Sequence, residues 1–298
     1  MFVVIGASGN TGHIVAANLL TRRQKVRVVG RNSAHLLPLV SRGAEPFIAD
    51  VSDASALAKA FDGADSAYVM IPPNISSKDP LGHANRVSDA IAAGVKDSGT
   101  KNVVALSSIG AELPSGSGPV VALYNLEQKL NQISSANVLY LRSGYFMENT
   151  LPQANAIRQT GVAAGPIRPD LRLPMIATRD IGTAAADVLL HPTIRGKQTR
   201  ELLGQRDLSY NEVSSIIAKA IGKPDLKYIQ APDDQMRGAL VQMGMSEPMA
   251  KLLLEMTQAF NTGKMRALES RTPQNTTPTN YETFAVEVFA PAYQKQAA

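Results

Sequence analysis

The chain has 298 residues, 44% hydrophobic and 18% charged, which suits one large α/β domain or a core with a smaller lobe and excludes general disorder. No stretch approaches the ~18 consecutive apolar residues of a membrane span, and cysteine is absent, which removes disulfides, thiolate catalysis and cysteine metal sites together. The formal charge of +5 is spread without runs of Lys or Arg, so neither nucleic acid nor a membrane surface is expected as a partner.

The first half alternates short apolar runs with amphipathic stretches. Strands are predicted at 2–7, 25–30, 46–50, 66–71, 102–107 and 138–142, with helices at 11–22, 55–61, 83–94 and 124–134. Leu126, Leu130 and Ile133 form one apolar stripe at helical spacing. Strands separated by helices need crossover connections, which makes the expected fold class α/β with a doubly wound parallel sheet. The first apolar run begins at once, with no basic segment or cleavage site before it, and a cytoplasmic protein is the expectation.

A first domain is placed at 1–150, with a helix around 180–190 returning to it. After Thr150 the rhythm breaks into extended pieces at 172–177, 199–203 and 227–229, with a helix at 210–221 and a Met-rich helical region at 233–262. A Thr/Pro-rich loop at 275–280 precedes a final helix at 281–289. Residues 151–298 are therefore expected to form a smaller α+β C-terminal lobe, interleaved with the first domain. Six of the ten methionines, Met236, Met243, Met245, Met249, Met256 and Met265, fall in it. Flexible thioethers suit either an adaptable apolar pocket or the filling of a small core.

The run Gly6-Ala7-Ser8-Gly9-Asn10-Thr11-Gly12 joins the first strand to the first helix. Glycines spaced three apart permit a diphosphate to approach the backbone at Gly6 and Gly9. The helix start at Asn10 and Thr11 offers free N–H groups and the positive end of its dipole. Gly12 allows the helix to pack closely. In strand–turn–helix context this is the dinucleotide fingerprint of a Rossmann domain. The second strand ends Gly30-Arg31-Asn32, nineteen residues past Gly12. NAD-binding versions generally carry a carboxylate there; a guanidinium instead suits a 2′-phosphate, so NADP(H) is favoured over NAD(H). Asn32 and Ser33 offer further hydrogen bonds. Asp50-Val51, after the third strand, is a candidate for the adenine end. Ile71-Pro72, after the fourth, is a candidate border for the riboses.

With Arg31, the glycine run resembles the NmrA-like branch of the atypical short-chain dehydrogenase/reductase superfamily. Leu141-Arg142-Ser143-Gly144-Tyr145-Phe146-Met147-Glu148-Asn149 is similar to that branch's Arg-x-Gly-x-Phe-x-Glu-Asn run. Thr178-Arg179-Asp180-Ile181-Gly182 and the stretch from Thr279 through Glu282 to Phe284 extend the likeness along nearly the whole chain. The resemblance implies an NAD(P)H-dependent reductase of quinones or other small molecules, or a dinucleotide-binding sensor that changes protein partners. It also implies that Gly144, Tyr145 and Phe146 lie near the nicotinamide, with Phe146 and Asn149 facing substrate. Phe146 reads equally as a core aromatic.

Ordinary members of the superfamily use a Tyr proton donor with a Lys four residues later on the same helix face. Ser107, with Ser108, matches the third member of that site. After Tyr124, however, the fourth residue is Gln128, and Lys129 lies about 140° further round. Some relatives keep a Lys four residues before the position of Glu127, where this chain has Leu123. Tyr124 and Ser107 remain the catalytic candidates. Without that pair, the expected reaction is hydride transfer to a quinone or other small conjugated acceptor, whose stabilised oxyanion takes a proton from water. The alternative is the non-enzymatic sensor. His13, His35, His83 and His191 show no ligand spacing, and no metal site is expected; Ser115-Gly116-Ser117-Gly118 lacks the full nucleophile-elbow motif.

Overall fold

The computed structural model describes residues 1–295. In chain order the first elements are β1 (Phe2–Ile5), α1 (Asn10–Thr21), β2 (Val26–Gly30), α2 (Ser33–Val40), β3 (Glu45–Ile48), α3 (Ala54–Phe61), β4 (Ser66–Val69) and α4 (Pro80–Ser98). Next come β5 (Asn102–Ser108), α5 (Val121–Asn131), β6 (Asn137–Ser143), β7 (Tyr145–Phe146), α6 (Pro152–Thr160), β8 (Ala163–Gly165), β9 (Leu173–Ile176) and α7 (Thr178–Leu190). The chain finishes with β10 (Lys197–Leu202), β11 (Arg206–Leu208), α8 (Tyr210–Ile221), β12 (Tyr228–Gln230), α9 (Asp233–Gln242), α10 (Glu247–Asn261), α11 (Tyr281–Phe284) and α12 (Ala290–Gln294).

The central sheet has seven strands, all parallel, in the order β10-β6-β5-β4-β1-β2-β3. Alternation along β1 shows why both faces are covered. Val3 and Ile5 join a core with Leu57, Phe61, Ile91 and Leu126, drawn from α3, α4 and α5. Val4 joins the opposite core with Val15, Leu19, Leu36 and Ile181, drawn from α1, α2 and α7. Period-two strands buried on both sides thus select the doubly wound architecture read from the sequence. A third core holds the lobe together around Ile157, Tyr210, Val213, Tyr281 and Phe289.

Several elements differ from the sequence reading. α2 has no counterpart there, because Pro38 sits inside it and suggests a break. α4 extends from Pro80 to Ser98, starting on the Asp79 side-chain cap and ending at Gly99 in the left-handed conformation. The Met-rich region is two helices, α9 and α10, with Ser246 capping the second. α6, β7 and β8 are new, short elements of the lobe. The extended piece read at 199–203 is β10, which pairs parallel with β6 and so belongs to the central sheet. α7 packs beside α1 and contributes Ile181, Ala185 and Leu189 to the shared core.

Strand order reverses at β1, which has β4 on one side and β2 on the other. Connections from β1 and β4 leave on opposite faces, opening a crevice at their carboxyl ends. The turn after β1 and the loop after β4 border that crevice.

Candidate functional site

The crevice widens into a cleft of about 570 Å³. Its floor comes from Gly9, Asn10 and Thr11 after β1, Met70 to Asn74 after β4, and Leu106 to Ser108 at the end of β5. Ser143, Gly144, Tyr145, Phe146 and Asn149 form one wall, His83 and Ala84 of α4 another, and Met249, Met256 and Phe260 of α10 the roof. Ser246 ties that roof to the loop after β4: its N–H donates to the Ile75 carbonyl at 2.8 Å and its hydroxyl to the Ser77 carbonyl.

The glycine turn is built as a cradle. Gly6 has φ +70°, a conformation that L side chains rarely adopt, and a Cβ there would lie 2.6 Å from the Met70 sulfur. At Gly6 the missing side chain therefore makes room for Met70 as well as for a tight turn. At Gly12 a Cβ would lie 2.3 Å from the Gly6 carbonyl oxygen, so this glycine packs α1 against the turn itself. No side chain caps the first turn of α1, and no acidic residue lies in it. Its N–H groups and dipole face the cleft unneutralised, which suits a diphosphate. The backbone thus fits the dinucleotide that the sequence motif implies.

Ten of the sequence-predicted residues line the cleft: Gly9, Asn10, Thr11, Ile71, Pro72, Ser107, Gly144, Tyr145, Phe146 and Asn149. Gly6 and Gly12 lie beneath it, and Ser8 is exposed at the turn. Arg31 is exposed and forms no hydrogen bond or ion pair among the described residues. Asn32 accepts from the Ala34 N–H and caps α2, so its side-chain oxygen is already engaged. The Asp50 carboxylate accepts from the backbone and hydroxyl of Ser52, which hold it below the ordinary range, and Arg31 and His83 add their charges. Val51 is buried in the core, leaving only its backbone for a ligand.

Tyr124 does not line the cleft; Leu123, its neighbour on α5, does. Lys129 turns away and pairs with Asp89. The Ser107 hydroxyl donates to Glu127 at 2.6 Å, and Glu127 in turn pairs with Arg142 at 2.7 Å. Arg142 reaches Glu112 as well, at 3.1 Å. These side chains form a buried ionic strut between α5 and β6.

The later motif residues are also ties. Glu148 accepts from the Thr178 N–H and hydroxyl at the start of α7, and burial raises its carboxyl above the ordinary value. Asp180 accepts from the Thr279 N–H and hydroxyl at 2.9 and 2.7 Å, joining α7 to the C-terminal segment. Gly144 permits the crossing of β6 and β9, since a Cβ there would lie 2.4 Å from the Pro174 carbonyl oxygen. Sequence reasoning missed Leu106, His83, Thr178 and Phe260 as lining residues. Of these, only Phe260 carried a signal, as the aromatic at the end of the Met-rich stretch.

A model of the NmrA-like family matches residues 1–286. An NAD(P)H azoreductase of Xenophilus azovorans is 27% identical over 258 residues, 86% of each chain. Quinone oxidoreductase 2 of Escherichia coli is 26% identical over 259 residues, again 86% of each. The crystal structure of an NADPH-dependent quinone oxidoreductase from Escherichia coli, complexed with NADPH, superposes with a TM-score of 0.79 at 22% identity, covering 97% of this chain and 100% of the other.

Proposed function

The chain belongs to the NmrA-like family, and from that premise we propose that it is an NADP(H)-dependent oxidoreductase that reduces a quinone or other small conjugated acceptor. The observation that carries this reading is the continuity of the cleft. One cavity runs from the uncapped start of α1, where a diphosphate fits, to a pocket roofed by Met249, Met256 and Phe260. A flat apolar acceptor suits that pocket, whose lining is mostly apolar.

A bound reduced nicotinamide supplies the hydride. The chain itself orients the two reactants, excludes water with α10 and the loop after β4, and neutralises phosphate charge. Arg31 supports preference for NADP(H): its guanidinium is free of ion pairs among the described residues and stands at the end of β2. The two relatives named for azo and quinone reduction support a conjugated acceptor.

The direct test titrates the purified protein with NADPH and NADH, then follows NADPH oxidation with quinones, azo dyes, aldehydes and simple ketones. NADPH binding with turnover confined to conjugated acceptors is the expected result. Turnover with simple ketones alone would refute the acceptor class, and failure to bind either dinucleotide would refute the cofactor.

A further inference from the structure

The hydroxyl groups lining the cleft are nearly all engaged within the protein. Ser107 donates to Glu127, Ser108 to the Ile109 carbonyl, Ser143 to the Ser107 carbonyl and Thr178 to Glu148. Thr11 accepts from the buried Tyr68 hydroxyl at 2.9 Å and stands at the start of α1, on the diphosphate side. Tyr145 is the phenol of the cleft lining. The Tyr210 hydroxyl donates to its oxygen at 3.2 Å, and the Asn149 side chain is its second hydrogen-bond partner.

The ring of Tyr145 is held firmly. It stands edge-on to Phe260 of the roof, with centroids 6.0 Å apart, and edge-on to Tyr210 at 6.4 Å. Tyr210 stacks on Tyr228 at 4.5 Å, and the Tyr228 hydroxyl donates to the Ile167 carbonyl. Burial raises the Tyr145 phenol above its ordinary value, so at neutral pH it holds its proton.

We propose that Tyr145 is the proton donor of this cleft and that Tyr210 is a positioning residue, fixing the Tyr145 hydroxyl so that its proton faces the acceptor. This rests on the oxidoreductase reading above. Reduction of a quinone consumes one hydride and one proton. The hydride leaves an oxyanion on the acceptor. The Oη–H bond of Tyr145 breaks as its proton passes to that oxygen, and the Tyr210 hydroxyl stabilises the resulting phenolate. Water at the cleft mouth then returns a proton to Tyr145, so NADPH is oxidised, the quinone is reduced to the hydroquinone and the enzyme is unchanged.

The test compares wild type, Tyr145→Phe and Tyr210→Phe with NADPH and 1,4-naphthoquinone. Removing a general acid is expected to lower kcat about 100-fold in Tyr145→Phe, with KM raised no more than about 10-fold and the solvent deuterium isotope effect on kcat lost. Tyr210→Phe, which keeps the donor but loosens it, is expected to fall about 3- to 10-fold and retain the isotope effect. Naphthoquinone titrated without cofactor should bind about 3- to 10-fold more weakly to Tyr145→Phe, the loss of one hydrogen bond. A Tyr145→Phe rate within twofold of wild type, with its isotope effect intact, would overturn the proposal while leaving the oxidoreductase reading in place. If wild type oxidises no NADPH with any acceptor, that reading fails, and equal naphthoquinone affinity in wild type and Tyr145→Phe then overturns this inference as well.

Discussion

Gly9→Ala separates the needs of the fold from the needs of a ligand. The Gly9 backbone lies at φ −95° and ψ 177°, an extended conformation open to any residue. A Cβ there would meet one atom within 4 Å, the Gly6 carbonyl oxygen at 3.3 Å, and is otherwise unobstructed. The expected cost to stability is below about 1 kcal/mol, chiefly from placing Ala at the N-cap of α1. In a chain this long that lowers the melting temperature by only about 2–4 °C. The same methyl group stands on the cleft floor, where a diphosphate would otherwise contact the backbone. Displacing the ligand from the helix start removes charge-assisted hydrogen bonds of about 1.5–3 kcal/mol, or roughly 10- to 150-fold in affinity. NADPH titration followed by fluorescence, with thermal melts on the same samples, measures both quantities. Unchanged melting together with unchanged NADPH affinity would refute the placement of the diphosphate. Gly12→Ala is the contrasting case: its Cβ would lie 2.3 Å from the backbone oxygen of Gly6, so stability should fall by about 1–3 kcal/mol along with binding.

Arg31→Ala should weaken NADPH binding by about 10-fold or more and leave NADH within about twofold, since only one of the two carries a 2′-phosphate; an equal loss for both would rule out that role. Arg142→Ala leaves Glu127 buried without its ion-pair partner, and urea denaturation should register a loss of about 3–5 kcal/mol; a loss below about 1 kcal/mol would count against the strut. Burial raises the phenols of Tyr68, Tyr140, Tyr228 and Tyr281 above their ordinary value. Unfolded phenols titrate near pH ~10, so above that the folded state holds more protons and stability should decline as pH rises. A urea midpoint that stays level from about pH 9 to about pH 11 would contradict this.

The central sheet was readable because β1, β2, β4, β5 and β6 are short apolar runs separated by helical periodicity, and the glycine turn because its spacing answers one geometric demand. Other features were hidden for physical reasons. Pro38 disguised α2 as a loop. β7 has two residues, too few for any period to register. Tyr124 and Leu123 are adjacent in sequence, yet helix rotation gives only Leu123 to the cleft. The Tyr145 hydroxyl is held by Tyr210, sixty-five residues away, and no local pattern announces that contact. The motif residues Arg142, Glu148 and Asp180 were legible as a likeness, but their buried partners Glu127, Thr178 and Thr279 show that they hold elements together.

The late arrival of β10 bears on how the molecule is made. Its six residues complete the sheet beside β6, yet they emerge from the ribosome more than fifty residues after β6 does. Until then the seven-residue β6 presents an open edge, with unsatisfied backbone donors and acceptors at alternate residues and bordered by Val138, Leu139 and Leu141, to any neighbouring chain. A fragment stopped near residue 150 would keep that raw margin permanently and would be prone to stick to its own copies. Nascent chains face the same hazard for the interval it takes to synthesise the intervening residues.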